Sequence, residues 1–554
     1  MRKNRFCTFT LIASLVIAAL PATLAAAGTG GGTSSLPVQQ DMTLTITPSG
    51  SETYDPEGSS FTAYRVMSFT QNVASGSWVW AVTNGFTYPG TGTFDADALG
   101  AYPASKLQDL AEKLALQVTD SMQDKLAEAQ ITDGSVSWTT DKAGIYLVCE
   151  TKTAAGNFPS KPFLVALPYT DDTNDSSWQY SLTAHPKGSK VELQKVIQDA
   201  KGSYLNTAGY VGSKDTVASG DEVSYRISTR IPNYTEVYFE NGKNPTFRLT
   251  DTMAKGLTLM PASIRLVSGE KTLTKDTDYT QTIDTDQNGI TTLVIALKSS
   301  YLSVEDNQNK EIVLYCNATV NDHVSLADDG NDNVVKLDYS YDPTDPTKTE
   351  EIEKKATVYS FGIEVEKFDG DSDSAQKVKL SGAQFELYKE TTKGCSAAQA
   401  LSQEPYRTVQ ETGANGIADF KGLDAGTYYL KEVKAPHGYS LLMNPIKVEI
   451  IPSSISAANE EAEVIDSGEF TVKVNGTLVP AEGADGITRI LDAANREGTV
   501  VVAAANHKGF SLPMTGGTGI AVILLISLSG LAVITCVYLR GGRGKDTGAN
   551  GHLA

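Results

Sequence analysis

Cysteine and histidine are scarce in this chain, five of each in 554 residues. So few cysteines exclude a disulfide-built scaffold. No two histidines form a His-x-x-x-His pair, which argues against a zinc hydrolase. Positive charge is also short: 46 Lys and Arg stand against 66 Asp and Glu, a net charge of −20. A nucleic-acid partner needs a basic face to meet its phosphates, so none is expected. No G-x-S-x-G, Walker A or dinucleotide-binding glycine pattern occurs, and no cofactor is expected. What is present is 40% hydrophobic residues, enough to bury real cores. The length predicts three or four domains.

Both ends read as targeting segments. Met1, Arg2, Lys3 and Arg5 lead into an apolar run, residues 6–26, that closes on small residues. This pattern describes a secretory signal peptide over 1–27. A permanent anchor is the weaker alternative, because a Gly/Ser/Thr stretch (28–35) follows at once. A second apolar stretch, 520–539, is about long enough to span a bilayer. Arg540, Arg543 and Lys545 follow it, which places the 540–554 tail in the cytoplasm and the bulk of the chain outside. Without these ends the chain keeps 40 basic and 65 acidic residues, a charge of about −25 that favours solubility. Only Cys149, Cys316 and Cys395 remain in it, and they are expected as small buried hydrophobes.

Between the ends, short strands alternate with turn residues. The fold class expected is mainly β, in tandem immunoglobulin-like β-sandwich modules. Examples are 42–47, 291–297 and 470–474. One region differs: Leu107, Leu110, Leu114, Val118, Met122 and Leu126 recur at spacings of three and four. They predict an added helical segment over 103–130, as one or two helices, in the first module. Boundaries near Lys187 and Ser360 give modules over 28–187, 188–359 and 360–511.

Strand parity marks unusual core positions, because residues two apart share a face. Ile363, Val365 and Lys367 point one way, with Glu364 and Glu366 pointing out. Tyr428, Leu430 and Glu432 share a face, as do Val500, Val502, Ala504 and Asn506. A lysine, a carboxyl and an amide therefore aim at one core, where unpaired polar groups are costly. The middle module repeats this: Val191, Leu193, Lys195 and Ile197; Phe247, Leu249 and Asp251; Asn333, Val335, Leu337 and Tyr339. Asn331 is a nearby alternative to Asn333. A buried Lys–Glu ion pair with an asparagine partner is the bland reading of the Lys367, Glu432 and Asn506 set.

Several motifs carry a family resemblance. Leu512-Pro513-Met514-Thr515-Gly516, then an apolar span and a basic tail, resembles the LPxTG sorting signal of Gram-positive surface proteins. Trp178, Pro186 and Lys187 keep the spacing of the W-x-x-x-V-x-V-Y-P-K pattern that ends the first domain of Gram-positive backbone pilins. Leu182, Ala184 and His185 replace its two valines and tyrosine. The run from Tyr428 through Glu432, Ala435 and Pro436 to Gly438 and Tyr439 is similar to the E-box of collagen-adhesin B-type modules, with Val433 where Thr is usual. The set around Lys195 resembles the A-type pilin module.

The resemblance implies a sortase-assembled major pilin. A sortase cysteine would attack the Thr515 carbonyl, and Lys187 of another subunit would take the acyl group. Lys367 would form an isopeptide bond with Asn506, assisted by Glu432, and Lys195 one with Asn333, assisted by Asp251. The general chemistry fits, since burial favours a neutral amine and a protonated carboxyl. The implied partners are a pilus-class and a housekeeping sortase, identical subunits, accessory pilins, peptidoglycan and, for an adhesive role, a host surface ligand. The implied location is the cell wall or fimbrium of a Gram-positive bacterium, with a membrane-held precursor and no turnover enzyme activity. A monomeric wall-anchored adhesin or an accessory pilin is the alternative.

The first module departs from this scheme. Around Glu150 it has half an E-box, but its opening strand has no lysine and its closing strand no asparagine. No isopeptide bond is expected there, and Glu150 is expected to be structural. Asp284, Asp286, Asn288 and Gly289 open like a calcium loop, but Ile295 occupies position twelve, so a hairpin turn is expected and no metal.

Overall fold

The computed structural model describes residues 40–509, apart from 51–53, 72–77, 84, 91–98, 100–101, 171–177, 199–205, 208–209, 327–329, 343–344, 374–376, 393, 457–462, 480–487 and 491–497. The expected signal peptide, the expected sorting motif with Thr515 and the expected 520–539 span lie outside the described residues. Strands dominate, and they fall into paired sheets. Apart from short segments, residues up to Ser360 form one compact unit, and those from Phe361 onward form the other.

The first unit opens with Met42–Ile46, a strand with every second residue buried. It lies between Val136–Thr140, antiparallel, and Ser181–Ala184, parallel. A second sheet runs in the order Trp78–Val82, Ser60–Gln71, Gly144–Lys152 and Phe163–Leu167. The predicted helical segment is half right. Ala104–Ala115 is a helix whose Leu110, Ala111 and Leu114 pack with Ile145, Leu147 and Leu164. Lys125–Gln130 is instead a strand, with Leu126 opposite Ala63. Its helix-forming residues are overruled by an available sheet edge, the ordinary way in which tertiary pairing defeats local propensity.

Further along the same unit, two larger sheets face each other. One runs Gln194–Ile197, Glu222–Arg230, Glu311–Val320, Leu257–Ser268 and Lys271–Thr272. The other runs Lys214–Thr216, Thr349–Tyr359, Asn331–Ser340, Phe247–Met253, Thr291–Leu297 and Tyr279–Thr285. Ile227 and Leu314 from the first meet Leu249, Ile295 and Leu337 from the second in one core. Phe158, from the chain before Lys187, joins that core and meets Tyr339 edge-on at 5.7 Å. The hairpin turn expected at Asp284 to Gly289 joins Tyr279–Thr285 to Thr291–Leu297. Asp286 accepts hydrogen bonds from the Asn288 and Ile290 amides there, and Gly289 takes a positive φ of 82°.

The second unit is again a pair of sheets. Ile417–Leu423, Phe361–Asp369, Thr499–Asn506 and Arg489–Ile490 form one. Arg407–Glu411, Gln384–Lys389, Gly426–Lys434, Ile446–Ser456, Glu463–Val474 and Thr477–Leu478 form the other. The unit's first long strand, Phe361–Asp369, and its last, Thr499–Asn506, are parallel neighbours. Phe361–Asp369 is buried on both faces. Glu364 and Glu366, expected to face solvent, are therefore buried as well. The outer face is covered: Glu366 is ion-paired with Lys379 and lies 3.5 Å from Arg489. Among the described cysteines only Cys316 is buried; Cys149 and Cys395 are partly exposed and pack at the edges of apolar clusters.

Candidate functional site

Lys367, Glu432 and Asn506 meet in the core of the second unit. Lys367 pairs in register with Ala504, so Asn506, two residues on, is its diagonal neighbour on the same face. Glu432 comes from the facing sheet. The Lys367 ammonium donates to Asn506 Oδ1 and, at 3.0 Å, to the Ala504 carbonyl. Asn506 Nδ2 donates to both Glu432 oxygens, at 2.9 and 3.0 Å. Lys367 Nζ lies 3.4 Å from Glu432 Oε1, and both side chains are fully shielded from solvent. Burial depresses the Lys367 pKa to about 8, against the pull of Glu432, which favours the charged form.

Two contacts at this cluster were not legible in the sequence. The Phe385 ring lies beneath the ammonium, 5.9 Å to its centroid. The Leu442 amide donates to Glu432 Oε2 at 2.7 Å, fixing the carboxyl from the loop after its strand. The alternation of Phe385 with Leu387 marks a core face, but no sequence signal says which lysine that face will meet.

The first unit holds a second cluster with a different layout. Asp251 pairs with Val335, and Asn333 pairs with Met253, so Asp251 and Asn333 are diagonal neighbours on adjacent antiparallel strands of one sheet. Lys195 comes from the facing sheet and donates to Asp251 Oδ1; both side chains are fully buried. The Tyr225 ring lies 5.2 Å from the ammonium. Among the described residues, neither Asn333 side-chain atom nor Asp251 Oδ2 has a hydrogen-bond partner. A buried amide in that condition costs about 1–3 kcal/mol, so it needs an explanation. Asn331 is also buried, but fully engaged: it accepts from the Ser325 amide at 2.8 Å and donates to the Ser325 and Val358 carbonyls.

Glu150 sits elsewhere in the first unit, buried, accepting from the Ser160 amide and hydroxyl, each at 2.7 Å. Burial raises its pKa, and those hydrogen bonds oppose the rise. Lys187 is exposed. Its backbone is held beside residue 49: Ser49 N donates to Pro186 O, and Gly188 N to Ser49 O, both at 2.9 Å. Gly188 packs against the Tyr54 ring, where any Cβ would overlap it. Trp178 stacks obliquely on Phe69, with centroids 6.2 Å apart.

Residues 219–343 match the family described as Gram-positive pilin backbone subunit 2, Cna-B-like domain. Residues 362–463 match a prealbumin-like fold domain. Fimbrial subunit type 1 of Actinomyces viscosus is 26% identical over 415 residues, 66% of this chain and 73% of that protein. The chain is related to Gram-positive backbone pilins. Fimbrial subunit type 2 of Actinomyces naeslundii is 27% identical over 472 residues, 78% and 79% of the two chains. The T6 backbone pilin of Streptococcus pyogenes serotype M6 shares the fold, with a TM-score of 0.53 at 19% identity over 86% of this chain and 100% of that one. In this pilin relative each matched segment omits one cluster member: Lys195 precedes the first, and Asn506 follows the second.

Proposed function

We propose that this chain is the structural backbone subunit of a covalently polymerised surface pilus. The observation that carries the reading is the buried contact of Lys367 with Asn506 and Glu432. Its chemistry is a single condensation. The neutral Lys367 amine attacks Asn506 Cγ, a new C–N bond forms, the bond to Nδ2 breaks, and ammonia leaves with a proton passed through Glu432. Asp251 plays that part between Lys195 and Asn333. Each bond forms once, so the chain is a building block and not a turnover enzyme.

The two crosslinks would do different mechanical work. Lys367–Asn506 would join the first and last strands of its unit, which are parallel neighbours. Tension on the ends of that unit shears those strands, and an amide there shields everything between residues 367 and 506. Lys195–Asn333 would staple two facing sheets. Each closes a loop of nearly 140 residues, worth about 5 kcal/mol by the chain-entropy argument used for disulfides.

Polymerisation follows from the sorting motif and Lys187. A pilus-class sortase thiolate attacks the Thr515 carbonyl and breaks the bond to Gly516. The Lys187 amine of another copy then displaces the thiolate. A housekeeping sortase would pass the finished polymer, with any accessory pilins, to peptidoglycan. Immunoblots of wall extracts from cells carrying wild type and Lys187→Ala test this. A high-mass ladder that collapses to monomer in the variant is expected. A monomer band in both strains would overturn the polymer reading and favour a wall-anchored adhesin.

A further inference from the structure

Met443 is 96% exposed and Leu441 51%, an unusual exposure for two large apolar side chains in one short loop. The loop is not slack. Leu442 N is held by the buried Glu432 carboxylate, and Ser440 N donates to His507 O at 3.0 Å. Tyr439 bridges to Lys508, its hydroxyl donates to Asp369 at 3.0 Å, and Gly509 N donates to Gly438 O at 2.9 Å. The apolar loop is thus fastened to residues 507–509, the last described residues before the sorting motif.

We infer that loop 441–443 is a docking surface for a second copy of this chain, at the face of its first module that carries Lys187. The inference rests on the polymer reading above. Only five residues lie between Gly509 and Thr515, six steps along the chain and at most about 20 Å when extended. Once Thr515 is joined to Lys187 of the next copy, that lysine cannot lie further from Gly509, to which the loop's base is fastened, than this tether and one lysine side chain allow. Tyr54, partly exposed, flanks Lys187 beneath Gly188. An aromatic ring is a good partner for a methionine thioether. Burying Leu441 and Met443 against it would add a packed contact to a joint otherwise made by one covalent linkage.

The test uses the full chain in the native organism, with Met443 replaced by photoreactive p-benzoylphenylalanine. Leu478, 58% exposed on an edge hairpin, is replaced in the same way as the control. After illumination of assembled polymer, crosslinked peptides should join position 443 to residues 47–57 or 185–190 of another copy, and position 478 should not do so. Crosslinks from 443 only to other proteins, or none above the control while the ladder is intact, would overturn the inference. Absence of a ladder in wild type would instead remove the polymer reading beneath it. As a second variant, Leu441→Asp with Met443→Asp should lower the high-mass fraction several-fold while leaving the monomer's intact mass unchanged. An undiminished ladder from that variant would contradict a docking role.

Discussion

Asn331 and Asn333 stand two residues apart on one buried strand face, and only Asn331 has hydrogen-bond partners for its amide among the described residues. A satisfied amide already has its structural reason. An orphaned one diagonal to an aspartate that holds a buried lysine lacks a reason unless it reacts. Asn333→Ala should therefore leave the protein heavier by the ammonia that the middle bond would have released, less the side-chain change. Asn331→Ala should retain that bond and lose about 1–3 kcal/mol from its broken buried hydrogen bonds. Intact mass spectrometry and thermal melting separate the two, and a bond lost only in Asn331→Ala would reverse the assignment.

Glu432→Ala removes the group that meets both Asn506 and Lys367. It should abolish the Lys367–Asn506 bond while leaving the Lys195–Asn333 bond in place. The second unit should lose about 5 kcal/mol of crosslink stabilisation, seen as a separate earlier melting step. A variant that still releases two ammonias would show that the carboxyl is dispensable.

The depressed Lys367 pKa sets a pH window. In an unfolded chain the amine becomes neutral only near pH 10.4, whereas in the folded precursor the midpoint is about 8. The folded precursor thus binds fewer protons between those values, and its stability rises with pH across that interval. Bond formation in freshly refolded protein should accelerate about tenfold per pH unit below 8 and level off above it. Time-resolved mass measurement from pH 6 to pH 9 checks this, and a rate still climbing steeply above pH 9 would not fit.

Glu150 provides the contrast. Its pKa is raised by burial, so the stability it contributes is fully present below about pH 4.5 and is lost as pH rises through the folded value. Glu150→Gln should flatten the pH dependence of melting in the first unit and change no crosslink mass. An ammonia difference between wild type and this variant, beyond the substitution itself, would assign Glu150 a bond-forming role.

Alternation of side chains was enough to aim Lys367, Glu432 and Asn506, and likewise Lys195, Asp251 and Asn333, at common cores, because a strand's facing is fixed by parity. Parity does not reveal what covers the other face. Glu364 and Glu366 are both buried, and Glu366 is met there by Lys379 and Arg489 from later segments. Nor does it reveal which sheet each member comes from. The lysine shares a sheet with its asparagine in the second unit but faces it from across the core in the first. The strand Lys125–Gln130 was hidden by its helical spacing and helix-forming residues. The aromatic rings under the two lysines, Tyr225 and Phe385, depend on pairing between distant strands that no local pattern encodes.

The most direct measurement is the intact mass of the secreted wild-type ectodomain, followed by sequencing of its proteolytic peptides. The account predicts a mass lower than the sequence value by two ammonias, with branched peptides joining Lys367 to Asn506 and Lys195 to Asn333. A mass equal to the sequence value, with all four residues recovered in linear peptides, would contradict it.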